Sequence, residues 1–496
     1  MAKLYVFGIG GTGSRVIKAM TMMFASGVKL PNNFDVVVPI IIDPDSGNGN
    51  LTQTKEILRD YRTIRRKIKN PDDFYQQDIQ SVNDLLGQGG NGKNDFELTL
   101  SGTQQNTFGS YIGVNFMSFD AGNGSDDQNF TKLLYSSDNL QANLNVGFKG
   151  NPNMGSVVLN QIIRSQDFLD FCQTFSQGDA VFIINSIFGG TGAAGFPLLL
   201  KNLRNNPNIP NAQYINPCEM GDITYLPYFS LQQPTNGFLT VNPGTFDEKA
   251  KVALDYYNQT IIGGNQVNAI YFVGNQNNRG LENYAEGTSE QCNKAHFLEL
   301  AGALAIYDFC QNHPLNNPNN TIVKEFGVQS KNIGAGINLD DLDPVHTKIL
   351  AEPFVKYRLF TQYLNKGLNR AIKSCRWTND QMKLVPKRQK TLLNKDFFER
   401  SSDFALVKKM NKAFDDWIHE MQDNKPSFIP FNKVESHNIF ELRNGKTPKH
   451  NPSCKSIDIE NARLVTDSSI RLDEMTMLFK MFSKSLELTC KHNNII

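Results

Sequence analysis

The segment Gly178–Pro197 reads GDAVFIINSIFGGTGAAGFP and joins three patterns in one short stretch. Ala180–Asn185 is an apolar run of strand length, Phe188–Gly195 is rich in glycine, and Pro197–Leu203 continues with helical spacing. Glycines let backbone N–H groups approach a ligand closely, and the N-terminus of the following helix favours an anion. The segment therefore predicts a strand, a phosphate-holding loop and a helix in direct succession.

The start of the chain repeats this order. Lys3–Phe7 is a short apolar run, Gly8–Ser14 is a glycine loop, and Arg15–Phe24 has helical spacing of its apolar residues. The loop contains GIGGTG at Gly8–Gly13, which satisfies the GxGxxG pattern between a strand and a helix. Two strand–loop–helix units of this kind in one chain are the central observation.

Taken alone, GIGGTG fits a dinucleotide-binding fold, in which an acid at the end of the second strand binds a ribose. Val36–Ile42 is a β-branched run suited to a parallel sheet covered on both faces, and Asp43 follows it. Pro39 within this run indicates a bulge or an edge. A dinucleotide fold gives no reason for a second glycine loop after a central strand, so the two loops together favour a different site.

Strand and helix patterns alternate through the first part of the chain, apart from the Gly/Asn/Ser-rich stretch 87–150, which predicts long surface loops. The further predicted elements are strands at Phe96–Leu100, Thr224–Phe229 and Ala269–Val273 and helices at Val157–Phe175, Glu248–Tyr257 and Gln291–Cys310. This alternation predicts an α/β fold with a doubly wound parallel sheet and helices on both faces. A long central helix and a mainly helical C-terminal region follow. We expect units at 1–290, 291–352 and 353–496.

The composition excludes several classes of protein. A chain of 496 residues exceeds the size of one hydrophobic core, and 50 basic against 49 acidic residues argue against a nucleic-acid-coating or polybasic membrane protein. The seven scattered cysteines form no CxxC pair, which indicates reduced thiols and a cytoplasmic protein. We expect no signal segment and no membrane span.

Other site motifs are missing from the sequence. It contains no GxxxxGK[ST] loop, no GxSxG nucleophile motif and no Cys/His spacing suited to zinc. The missing loop lysine means that phosphate binding would rest on glycine-loop amides and helix dipoles. The basic clusters Arg62–Lys69 and Lys383–Lys390 are interpreted as solvated helix faces, so nucleic acid is an unlikely partner.

The glycine segment resembles the signature loop of the tubulin/FtsZ superfamily, GGGTG(S/T)G, with Phe188 in place of the first glycine. GNPNMG at Gly150–Gly155 is similar to the NPxxG loop that reaches the terminal phosphate in that family, and FDEK at Phe246–Lys249 is similar to its ribose loop, with Glu248 as the acid. The resemblance implies a tubulin/FtsZ-like sheet over residues 1–345, bound GTP or GDP, and Mg²⁺ with Asp43 or Asp45 as candidate ligands.

Asn293, ahead of the pair Ala301–Gly302, matches the position of the base-reading residue of the family. Two departures affect the choice of base: Ser289 replaces an aromatic residue, and Arg15 replaces an asparagine of the first loop. The resemblance implies guanine, and ATP stays open. The residues expected at the nucleotide are Gly10, Gly11, Thr12, Gly13, Ser14, Arg15, Asp43, Asn151, Gly155, Gly189, Gly190, Thr191, Gly192, Ala193, Glu248 and Asn293.

GINLDDLDP at Gly336–Pro344 resembles the NxDxxD loop of the family through Asn338, Asp340 and Asp343. In the family this loop hydrolyses the nucleotide of the neighbouring subunit, so the resemblance implies catalytic residues that act in a head-to-tail assembly. The spacing from Asn293 is roughly twice that of the family, which requires an insertion. The structural alternative is an Asp-rich turn that caps a helix beginning near Pro344.

Three functions follow as hypotheses. The leading one is a GTPase that assembles head to tail with further copies of itself, into filaments unless the rotation closes a ring. The second is a GTP-regulated binding module with little hydrolysis, which docks a protein partner through its C-terminal helices. The third is an NAD-dependent enzyme that uses GIGGTG and Asp43.

Overall fold

The structure is a computed structural model, and it describes residues 2–87, 95–114, 126–148, 150–231, 246–275, 280–282, 287–315, 320–325, 336–378, 393–433, 440–466 and 472–495. Within these ranges no helix is both long enough and apolar enough to span a membrane. The basic cluster Lys383–Lys390 lies outside the described residues.

The strands are β1 Ala2–Ile9, β2 Phe34–Ile42, β3 Asp78–Ile79, β4 Ala180–Ser186, β5 Met220–Tyr225, β6 Phe229–Leu231, β7 Ala269–Val273, β8 Gly280–Glu282, β9 Ile322–Glu325, β10 Phe431–Asn432 and β11 Leu442–Arg443. The helices are α1 Gly10–Ala25, α2 Gly49–Lys67, α3 Val82–Leu85, α4 Phe108–Tyr111, α5 Asp126–Leu134, α6 Ser137–Gln141, α7 Pro152–Leu159, α8 Gln166–Thr174, α9 Gly190–Asn205, α10 Ala212–Ile215, α11 Phe246–Tyr256, α12 Phe297–Gln311, α13 Pro344–Lys366, α14 Leu368–Ser374, α15 Lys395–Arg400, α16 Ser402–Asp423, α17 Cys454–Thr466 and α18 Glu474–Asn493.

The main sheet has the order β3-β2-β1-β4-β5-β7-β9, and every neighbouring pair in it is parallel. Alternate residues of β1 enter different cores: Leu4 and Val6 pack on one face, and Tyr5, Phe7 and Ile9 on the other. Helices α1, α2 and α12 cover the first face, and α7, α8 and α9 cover the second. The predicted α/β doubly wound architecture is confirmed.

Pro39 lies in β2, which pairs with β1 along its length and with the two-residue strand β3 on its other side. Val37 and Ile41 direct their backbone groups outward, to Gln80 and to the segment at Phe96, respectively. Pro39 faces the same side between these two pairings, while its register partner on β1 is Val6. Its missing N–H therefore costs no hydrogen bond to β1, although β2 lies between β1 and β3 and is neither an edge strand nor bulged at Pro39.

The C-terminal region is mainly helical, as predicted, and its main helices share the core on the α1, α2 and α12 side of the sheet. Tyr357 of α13 packs against Phe414 of α16, and Phe360 packs against Phe479 and Phe482 of α18. Apolar packing thus runs without interruption from the sheet into the last helices. Helix α13 also runs through the predicted boundary at 352/353, and the division into units stays a prediction.

Four element predictions were wrong. The strand predicted at Phe96–Leu100 is only an isolated bridge between Glu97 and Ile41. The single helix predicted at Val157–Phe175 is divided, because the Ser165 side chain caps α8 by accepting from the Phe168 N–H. The strand predicted at Thr224–Phe229 begins earlier, as β5. The central helix begins at Phe297 rather than Gln291, because His296 and Glu299 form a capping box there.

The prediction of a solvated face for Arg62–Lys69 needs a correction at Arg62. This side chain is buried, and its guanidinium pairs with Asp84 at 2.8 Å and with Asp95 at 2.6 Å. It also lies over the Phe96 ring. Arg62 therefore fastens the loop after β3 to α2, and it is not free to bind an outside partner.

Candidate nucleotide-binding site

The candidate site lies at the carboxyl ends of β1 and β4, which are neighbours in the sheet. Helix α1 leaves β1 toward one face, and α9 leaves β4 toward the other. In open α/β sheets, the crevice outside such a switch point is where ligands bind. Both glycine loops of the sequence analysis open onto this crevice.

The N-termini of α1 and α9 carry no side-chain cap. Ile9 and Gly189 are the N-cap residues, neither caps through a side chain, and neither helix has an acidic residue in its first turn. By contrast, Asn48 caps α2 and Asn151 caps α7. Two helix N-termini that point at one crevice without a carboxylate create a positive field suited to phosphate groups.

The loops meet closely, and the small size of glycine is what permits it. A Cβ on Gly10, whose φ is +71°, would lie 3.4 Å from the Thr191 Cβ. A Cβ on Gly190 would lie 3.0 Å from the Asn151 backbone nitrogen, and one on Gly155 would lie 2.9 Å from the Gly190 oxygen. The structure thus brings together the segments predicted to hold phosphates, at Gly10–Ser14, Asn151–Gly155 and Gly189–Ala193.

Packing fixes the rest of the first loop. A Cβ on Gly13 would lie 2.4 Å from the Gly8 carbonyl carbon, so α1 starts directly against the end of β1. The Ser14 hydroxyl donates to the Gly10 carbonyl at 3.2 Å, and the Thr54 hydroxyl donates to the Ser14 carbonyl at 3.1 Å. Ser14 is therefore committed to holding the turn through its hydroxyl.

An asparagine ladder borders the other end of the crevice. Asn50 Nδ2 donates to Asn293 Oδ1 at 3.1 Å, and the Asn293 N–H donates to Asn50 Oδ1 at 2.9 Å. Asn48 Nδ2 donates to Gln291 Oε1 at 2.8 Å. A Cβ on Gly11 would lie 3.9 Å from the amide nitrogens of both Asn48 and Asn50. Asn293 thus lies beside the first loop, although in the segment before α12 rather than on the helix.

Asn48 and Asn50 escaped the sequence analysis. The signal was the run GNGN directly after DPDS, which places amide side chains just beyond the second predicted strand. Because carboxyl ends of parallel strands share one edge, such a cluster belongs beside the glycine loops. Gln291 carried no signal of its own, since its contact with Asn48 depends on tertiary packing.

Asp43 and Asp45 do not fit the role of magnesium ligands. Asp43 is buried and accepts from the Asp45 N–H at 3.0 Å, and burial raises its pKa to about 8. Asp45 accepts from the N–H groups of Gly47 at 3.0 Å and Thr288 at 2.5 Å. These carboxylates hold the turn after β2. Within the described ranges there is also no group of three or more acidic, His or Cys side chains suited to a metal.

The Arg15 side chain is engaged inside the protein. It is buried, its Nε lies 2.7 Å from Glu299 Oε1, and its guanidinium donates to the Tyr228 hydroxyl. Glu299 belongs to α12. The Arg15 side chain therefore ties the first loop to the central helix, and its role at a nucleotide stays a prediction.

A cleft of about 1130 Å³ adjoins the second loop between α7, α9 and α11. Gly189 and Ala193 form part of its wall, together with Glu248 and Lys249 from the first turn of α11. The Lys249 ammonium donates to the Gly150 carbonyl at 2.8 Å. Glu248 thus lines this cleft beside the second loop, and its role as a ribose acid stays a prediction, whereas Lys249 is an additional charged residue that the sequence analysis did not select.

The NxDxxD residues have their own partners at the start of α13. Asn338 caps a 3-10 turn at Leu339–Asp341, and Asp343 caps α13 by accepting from Val345 and His346 N–H groups. Asp340 forms an ion pair with Arg443, yet its side chain is 43% exposed. Among the described residues, none of these partners belongs to the glycine loops, so the structure does not bring this loop to the crevice of its own chain.

No family model and no curated protein sequence matches this chain. A search of solved structures finds CetZ2 from Haloferax volcanii, described as a GTPγS-bound protofilament, at 11% identity and a TM-score of 0.29 over 64% of each chain. It also finds CetZ from Methanosaeta thermophila, at 14% identity and a TM-score of 0.21, over 62% of this chain and 51% of that one. The chain thus spans less than two thirds of either structure, and the fold assignment rests on the sheet order and the two loops.

Proposed function

We propose that this chain binds GTP at the switch point between β1 and β4. The observation that carries the proposal is the meeting of two uncapped helix N-termini, where Gly10 approaches Thr191 and Gly190 approaches the Gly150–Gly155 loop. Backbone donors and helix dipoles replace the lysine of other phosphate sites. The asparagine ladder at Asn50 and Asn293 offers amide groups at the opposite end, suited to the edge of a base.

The sheet order also occurs in dinucleotide-binding folds, so the sheet alone does not separate GTP from NAD. Two features favour the triphosphate. The second glycine loop is packed against the first, and Asp43 is buried with its carboxylate engaged by the backbone, so it is poorly placed to bind a ribose. A thermal-shift comparison tests the choice: a ligand at 100 times its Kd stabilises the native state by about 2.7 kcal/mol, and we expect this from GTP and not from NAD.

Hydrolysis belongs to the same proposal and requires a second copy of the chain. The Asp340 carboxylate is partly exposed, and its ion-pair partner Arg443 does not belong to the glycine loops of the same chain. It is therefore available to the nucleotide of a neighbouring copy. A carboxylate there would orient a water molecule for in-line attack on the terminal phosphoryl group, while the loop amides stabilise the developing charge. Repeating this contact gives a head-to-tail assembly. The predicted cytoplasmic location belongs to this proposal as well.

The first experiment is phosphate release from GTP across a protein dilution series, with light scattering followed in the same sample. If the site spans two copies, turnover per chain rises with protein concentration and scattering appears with it. Turnover per chain that stays constant down to the lowest measurable concentration would refute the two-copy site.

Asp340→Ala and Arg443→Gln form a matched pair for the catalytic role. Both variants break the same ion pair, but only the first removes the carboxylate. We expect Asp340→Ala to lower turnover by orders of magnitude and Arg443→Gln to retain most of it. Equal turnover in the two variants would argue against water activation by Asp340.

The alternative is a GTP-regulated binding module with little hydrolysis, in which the C-terminal helices dock a protein partner. The capping roles of Asn338 and Asp343 favour it, because they explain the presence of these residues without any chemistry. GTP binding without turnover or scattering at any protein concentration would support the module over the GTPase.

A further inference from the structure

Lys249 lies where the second glycine loop, Gly189–Ala193, touches the loop at Gly150–Gly155. Its ammonium donates to the Gly150 carbonyl at 2.8 Å, and the Gly150 backbone nitrogen lies 3.2 Å from the position of a Cβ on Gly190. Lys249 also shares the wall of the cleft with Gly189 and Asn153. The ammonium therefore binds the residue, Gly150, that lies against Gly190 at the uncapped start of α9.

The charge of Lys249 is balanced differently from that of other cations near the site. Arg15, Lys18 and Lys55 each pair with a carboxylate, from Glu299, Glu420 and Glu97, respectively. The acceptor of Lys249 is the neutral carbonyl of Gly150, and burial lowers the pKa of the Lys249 ammonium. Glu248 is the adjacent residue on the same helix, and side chains one position apart do not face each other.

The order of groups along the crevice places Lys249 at its far end. Gly11 lies beside the amides of Asn48 and Asn50, and Gly10 contacts Thr191 at the start of α9. Beyond α9 come Gly150 and then Lys249. A base at the amide end would direct the phosphate chain across the helix N-termini, so the last phosphate would arrive at Lys249.

We propose that Lys249 donates to the terminal phosphate of the bound nucleoside triphosphate and gives the site its preference for triphosphate over diphosphate. This inference rests on the proposed function. An ammonium group binds phosphate as a compact positive charge. Lys249 would supply this charge where the two loops touch, because neither glycine loop contains a lysine. The Gly150 carbonyl holds the ammonium in place in the absence of the anion.

The test compares GTPγS and GDP binding by titration calorimetry for the full chain and three variants. Lys249→Gln removes the charge and keeps the stem, Lys249→Arg keeps the charge, and Lys251→Gln is the matched control on the exposed side of the same helix. We expect Lys249→Gln to weaken GTPγS binding by roughly 10- to 100-fold and GDP binding by less than about threefold. Lys251→Gln should change neither, and Lys249→Arg should keep most of the GTPγS affinity.

A measurement on the unaltered chain makes the test independent of variant folding. Acetic anhydride modifies accessible lysines, and mass spectrometry reports each site. GTPγS should protect Lys249 more than GDP does, with Lys251 modified equally in both. Equal losses of GTPγS and GDP affinity in Lys249→Gln, or equal protection by both nucleotides, would overturn the role of Lys249 while leaving nucleotide binding intact. A chain that binds neither nucleotide would overturn the proposed function itself.

Discussion

Replacing Glu299 by Gln removes the charge that faces Arg15 inside the protein. The two side chains are 5% and 1% exposed, and the Arg15 Nε lies 2.7 Å from Glu299 Oε1. Removing one member of a buried ion pair leaves the other charge without compensation, which costs about 3–5 kcal/mol of unfolding free energy. Gln keeps the side-chain length and an oxygen, so the hydrogen bond from the His296 N–H and with it the start of α12 is retained.

The double variant Arg15→Met with Glu299→Gln isolates the charge effect. With both charges removed, no unpaired ion remains, so its loss of stability should be smaller than the sum of the two single losses by about 2 kcal/mol or more. Urea denaturation followed by far-UV circular dichroism measures all three variants. A loss below about 1 kcal/mol for Glu299→Gln, or strictly additive single losses, would refute the buried-pair reasoning.

The same double variant separates positioning from direct contact. If Arg15 only ties the first loop to α12, the folded double variant should bind GTPγS within about an order of magnitude of the unaltered chain. A loss of several orders of magnitude with stability retained would instead restore Arg15 as a ligand of the nucleotide.

Three further outcomes are expected. Gly192→Ala should disrupt both stability and GTPγS binding, since its Cβ would lie 2.5 Å from the Ser186 carbonyl oxygen, whereas Gly189→Ala meets only the Ser186 hydroxyl at 3.3 Å and should be tolerated in melting curves. Burial lowers the pKa of His296 to about 4, below its unfolded value. The contribution of neutral His296 to the free energy of unfolding is therefore fully present above about pH 6.5 and falls by about 3 kcal/mol as pH drops to 4. His296→Asn should flatten that slope in urea titrations at several pH values. Asp343→Ala should cost about 1 kcal/mol of stability through loss of its cap, measured by urea denaturation.

The sheet could be predicted because its strands are buried on both faces and therefore appear as continuous apolar runs. β1, β4 and β7 were found within a few residues for this reason. The start of α12 was misplaced because its cap is a histidine. Histidine is not among the common N-cap residues, so it gave no sign of a helix start.

The site was predictable where backbone chemistry dictates sequence and unpredictable where side chains meet across the fold. Glycine loops can be recognised in the sequence, because few other residues permit a positive φ at Gly10 or the close approach at Gly190. The partner of Arg15 could not be read from the sequence, since Glu299 is far away along the chain and an arginine after a phosphate loop suits ligand and anchor equally. Lys249 stood beside the selected Glu248, and only folding shows which of the two approaches Gly150.

The three residues of the NxDxxD loop differ in how far their side chains are engaged, and this difference bears on the choice between GTPase and binding module. Asp343 uses both oxygens locally, because Oδ1 accepts two N–H groups and Oδ2 contacts the His346 ring. Asn338 is likewise occupied as a cap. Asp340 differs: Oδ1 pairs with Arg443, while Oδ2 passes near Gly445 and accepts no hydrogen bond from the described residues. A carboxylate with one oxygen held and one free can orient water without giving up its own anchor, so within the proposed GTPase Asp340 is the acid of this loop that we expect to position water.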